Sequence, residues 1–69
     1  MTIQDFSEVL FQERRVLELL LFKLEEEQLL LEMGRSRWLA LASREVETVL
    51  DELNKVELAR SVAFAGVAP

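Results

Sequence analysis

Glu25-Glu26-Glu27, with Glu18 and Glu32 nearby, is the densest group of side chains in this chain that could do chemistry. Carboxylates in such numbers could trade protons or hold a hard divalent cation. Their spacing works against both. Consecutive residues project about 100° apart around a helix, so the three glutamates do not converge on one ion. A di-metal bundle would add histidines from facing helices, and the chain has no histidine. It also has no cysteine, which removes disulfides and thiolate ligands. The run reads as a solvated acidic face. Ser7, Ser36, Ser43 and Ser61 have no imidazole to activate them, and Lys23 and Lys55 sit where solvated lysines sit. Glycine-rich phosphate loops are absent. The expectation is a non-enzyme with no catalytic residues, no metal and no cofactor. Arg35 and Arg37 flank a turn and Arg44 follows; they suit either a small anion site at a helix start or, for Arg35, the negative end of the preceding helix.

Charge narrows the partners. A formal net charge of −5 disfavours nucleic acid and anionic membrane surfaces alike. The longest apolar runs, Trp38 to Ala42 and Val62 to Ala68, fall far short of the roughly 20 residues that span a bilayer. No basic segment followed by an apolar one opens the chain, so the expected location is cytoplasmic, without membrane insertion.

The elements follow from where the helix breakers lie. Leu, Glu, Ala, Arg and Lys dominate, glycine occurs only at 34 and 66, and proline only at 69. Thr2-Ile3-Gln4-Asp5 has the form of a capped helix start. The pattern predicts an all-α, antiparallel two-helix hairpin: helix 1 over about 2–33, a turn at 34–36, and helix 2 over about 37–62. Gly34 takes the left-handed position, Ser36 caps helix 2, and 65–69 form a frayed tail. The alternating 3,4 spacing of a coiled coil puts Ile3, Phe6, Leu10, Glu13, Leu17, Leu20, Leu24, Glu27 and Leu31 on the seam of helix 1. Helix 2 answers with Leu39, Ala42, Val46, Val49, Leu53, Val56, Arg60 and Ala63. That register sets Leu31 near Leu39, Leu24 near Val46 and Leu17 near Leu53. It brings Arg60 within a turn of Glu13, and Ala42 and Arg44 near Glu27.

Helix 1 carries more oil than one neighbour can cover. From Val16 to Leu24 only Glu18 and Lys23 are charged. Outside the seam lies a second stripe of Leu19, Phe22, Leu29 and Met33, interrupted by Glu26. A helix packed against one partner needs one stripe, so the second requires a further protein. Trp38, at the flank of the turn, suits either a binding anchor or a lid on the hairpin core. Leu19, Phe22, Leu29, Met33 and Trp38 are therefore the candidate partner-binding residues. Two occupants fit: a client helix laid in a groove, or a second copy closing a homodimeric four-helix bundle.

The stretch from Leu21 to Leu31 (Leu-Phe-Lys-Leu-Glu-Glu-Glu-Gln-Leu-Leu-Leu), the turn Gly34-Arg35-Ser36-Arg37-Trp38-Leu39, and Ser43-Arg44-Glu45-Val46-Glu47 resemble the FlgN family of flagellar proteins in its high-GC Gram-positive branch. The resemblance runs from about Leu17 to Arg60, and its distinctive part is the Gly-Arg-Ser-Arg-Trp turn. It implies a cytoplasmic export chaperone that holds hook-associated flagellar proteins before secretion, and it supplies no catalytic residue. Members of that family look longer, with a further C-terminal segment implicated in client binding. Measured against them this chain is truncated, and it is expected to keep the hairpin and lack part of the binding surface.

Overall fold

A backbone that meets neither proline nor an interior glycine has little reason to leave the helix. In the computed structural model, which describes residues 2–67, α1 spans Ile3–Glu32 and α2 spans Ser36–Val67. The two pack antiparallel into a rod 53 × 14 × 12 Å. Among the described residues there is no strand. The all-α hairpin expected from the pattern is the fold.

Each end of α1 is closed as its residues predict. Thr2 is extended (φ −97°, ψ 169°), its hydroxyl accepts from the Asp5 amide at 3.2 Å, and the Asp5 carboxylate accepts from the Thr2 amide at 3.0 Å. This reciprocal pair satisfies two amides that a helix start otherwise leaves open. At the other end Gly34 adopts φ +67°. Its amide donates to the Leu31 carbonyl and that of Arg35 to the Leu30 carbonyl, at 3.2 and 2.9 Å. These are the paired bonds of a Schellman turn.

Two boundaries differ from expectation. The Arg35 carbonyl accepts from the Trp38 and Leu39 amides, so Arg35 occupies the cap and Ser36 is already helical. Helix α2 also continues past Val62 to Val67. Packing holds this last stretch: Ala63 is buried, and the Phe64 ring lies 6.1 Å from that of Phe6. The part of the expected frayed tail at 68–69 lies outside the described residues.

The core is narrow. Val16, Val49 and Leu53 form its centre, with Leu20 and Val56 packed against them. Every expected α2 seam residue, from Leu39 to Ala63, is buried or half-buried. The α1 seam needs a correction. Phe6, Glu13, Leu20 and Glu27 turn inward as expected, but the alternating positions are Val9, Val16, Lys23 and Leu30. Ile3, Leu10, Leu17, Leu24 and Leu31 stay exposed, so the α1 leucine of each expected cross-helix pair is not a core residue. Val16 is 6% exposed and Leu17 is 46%. Hydrophobicity favours the leucines, and the two candidate seams share every other residue. Ionic pairing separates them. With Lys23 at the seam its ammonium reaches Glu26 at 3.7 Å on its own helix and Glu45 at 3.4 Å on the other.

Candidate protein-binding surface

The cross-helix contacts sort into two edges, one on either side of the seam. Along the first edge Arg60 Nε donates to Glu13 Oε2 at 2.8 Å, Ser43 Oγ donates to Glu27 Oε2 at 2.7 Å, and Phe6 meets Phe64. Along the second lie Lys23 and its two glutamates. The expected approach of Arg60 to Glu13 is therefore present. Glu27 has a neutral hydroxyl, Ser43, as its hydrogen-bond partner in place of the Arg44 cation expected nearby; Arg44 is exposed. Adjacency explains the difference, because Ser43 neighbours the buried Ala42 and points along the same edge.

All five candidate binding residues, four on α1 and Trp38 on α2, are exposed. Leu19 and Met33 border the second edge, and Phe22 and Leu29 extend it toward the outer face of α1. Phe22 and Leu29 are each 57% exposed, and Trp38 is 47% exposed. The Lys23 ammonium lies 5.6 Å from the Phe22 ring centroid, and the Arg37 guanidinium 4.9 Å from that of Trp38. Across the turn, Trp38 and Leu41 join Leu30 and Ala42 around a shallow depression of about 190 Å³ bordered by Glu26 and Glu45. Farther along this edge a second depression is lined by Gln12, Arg15, Val16, Leu19 and Glu52. The surface is thus a broken apolar strip rimmed by carboxylates.

The first edge holds what the sequence pattern misplaced. Ile3, Leu10, Leu17, Leu24 and Leu31 recur every seven residues and form an exposed row, widened by Leu21. On α2 the same edge carries Leu50 and Phe64, also exposed. The heptad repeat marks this row in the sequence, and the structure turns it outward instead of toward the seam.

Among the described residues no group of three or more acidic side chains is gathered so as to hold a metal ion. No described helix is long and apolar enough to cross a membrane. The Asp5 carboxyl is lowered by its hydrogen bond from the Thr2 backbone amide, and it serves the helix cap. Comparison with protein-family models, with curated proteins and with solved structures gives no match.

Proposed function

We propose that this chain is a cytoplasmic export chaperone that shields an amphipathic helix of a flagellar hook-associated protein against Leu19, Phe22, Leu29, Met33 and Trp38. The observation that carries the reading is the exposure of these five large side chains on one side of a hairpin that, among the described residues, has no further helix laid over them. The Gly-Arg-Ser-Arg-Trp turn and the flanking helical segments, which resemble the FlgN family, supply the flagellar context. A client helix would set its apolar face on the strip and its basic residues against Glu45 and Glu52. An acidic exterior keeps such a binder dispersed while its oily strip is empty.

Trp38 is the only tryptophan, so its emission reports occupancy directly. Titration with the C-terminal helix of a hook-associated protein should shift that emission to shorter wavelength. Phe22→Glu should weaken binding by about tenfold or more, the penalty typical of a buried anchor. Binding by the Phe22→Glu variant at full strength would rule the surface out.

A further inference from the structure

We infer that the leucine edge, opposite the proposed client strip, is the contact surface for a second copy of this chain, docked so that the two α1 helices run antiparallel. This inference uses different residues from the client reading and stands or falls without it. Its first support is direction. Helix α1 meets α2 along Val9, Val16, Lys23 and Leu30 on one side of the seam and Phe6, Glu13, Leu20 and Glu27 on the other. The row Leu10, Leu17, Leu24, Leu31 lies one residue beyond the first set, which turns it roughly 70–100° away from α2. A helix in a four-helix bundle faces its second neighbour in about that direction.

The second support is self-complementarity. The four leucines are evenly spaced, so a two-fold axis between Leu20 and Leu21 sets Leu17 against the partner's Leu24 and Leu10 against the partner's Leu31. The same operation brings Leu50 near its own copy and holds the two Glu57 carboxylates roughly 25 Å apart along the bundle. An axis parallel to the helices would instead press the leucine row onto Ser43, Leu50, Glu57 and Phe64 of α2, where polar residues alternate with apolar ones and the match is poorer.

The third support is size and polarity. Leu10, Leu17, Leu21, Leu24, Leu31 and Leu50 are all 40–64% exposed. With Phe64 they present roughly 600 Å² of apolar surface, close to the roughly 800 Å² per partner of a standard interface. Glu13 and Glu27, beneath this edge, already have Arg60 and Ser43 as partners, so covering these two orphans neither carboxylate. The opposite edge is less suited, since its rim carries Glu26, Glu45 and Glu52, with Lys23 among them to offset part of a second copy's like charge.

The absence of cysteine makes the test direct. Sedimentation equilibrium should show a dimer of the 8.0 kDa chain, and Leu17→Glu with Leu24→Glu should raise its dissociation constant by roughly 100-fold or more. Because that variant could also lose its fold, disulfide mapping supplies the second readout. Leu21→Cys, beside the axis, should cross-link to itself on mild oxidation. Leu17→Cys should cross-link to Leu24→Cys in a mixture of the two chains and poorly to itself, since its own copy lies beyond the roughly 7 Å reach of a disulfide between Cα atoms. A chain that stays monomeric at millimolar concentration would overturn the proposal. So would Phe22→Cys, on the other edge, cross-linking as readily as Leu21→Cys.

Discussion

Glu13 and Arg60 show how a polar pair can help set the register of a thin core. The carboxylate is 18% exposed, the guanidinium 43%, and they meet at 2.8 Å. Partial solvent access keeps the pair modest, so a double-mutant cycle with Glu13→Ala and Arg60→Ala should return a coupling of about 1 kcal/mol in denaturant melts. At the opposite end of the polarity scale, Asp5 is fully exposed and still has its carboxyl lowered from the ordinary 3.8 by the bond it accepts from the Thr2 amide. A group whose folded pKa is depressed stabilises the folded form above its unfolded pKa, and that contribution vanishes as pH falls through the folded value. The first turn of α1 should therefore hold at neutral pH and fray progressively below about pH 3.8, with amide exchange at Phe6 as the readout. Asp5→Asn should abolish that pH dependence.

At the level of elements, the turn and the seam make separate demands. Gly34 sits at φ +67° with open space where a Cβ would go. Gly34→Ala should therefore cost about 1 kcal/mol from backbone strain alone, and Gly34→Asn less, because asparagine tolerates the left-handed region. Thermal melts of the two variants would rank them. The seam is tested by neighbours. Val16→Ala empties a buried site and should cost about 2 kcal/mol. Leu17→Ala trims a half-exposed side chain, so in the isolated hairpin its effect should be less than half as large. If the two losses were equal, the seam would run through Leu17 after all. Should the leucine edge pair, the Leu17→Ala loss would grow with protein concentration and the Val16→Ala loss would not.

The whole molecule is a slender acidic rod whose surface carries much of its oil. Small hairpins rarely hold together on a core of this size without a staple or a partner. The chain has no cysteine, so no disulfide adds to its narrow core and its cross-helix pairs. Net negative charge opposes indiscriminate clumping. As pH is lowered toward the isoelectric point near 4.6, that repulsion fades. Light scattering should accordingly rise to a maximum around pH 4.6 and fall again at lower pH, and added Leu17→Glu with Leu24→Glu should flatten the rise.

Much of this was legible in the residues themselves. Thr2, Asp5 and Gly34 act through neighbours a few positions away, and such local hydrogen bonding is written in sequence order. The α2 seam could be read too, because Leu39 to Ala63 offers only one continuous apolar row. The exposure of Phe22 and Leu29 followed from counting stripes against available helices. What could not be read was which of two overlapping rows on α1 turns inward. Leu17 and Val16 differ little in hydrophobicity, and a sequence ranks them by oiliness alone. Only the folded pair brings Lys23 to Glu45, Ser43 to Glu27 and Phe6 to Phe64, contacts between residues far apart in the chain. Those pairings rotate α1 so that valine and lysine face the partner helix while the leucine row faces out. Local chemistry thus set the elements and their ends, and long-range pairing decided which sides of the first helix are left exposed.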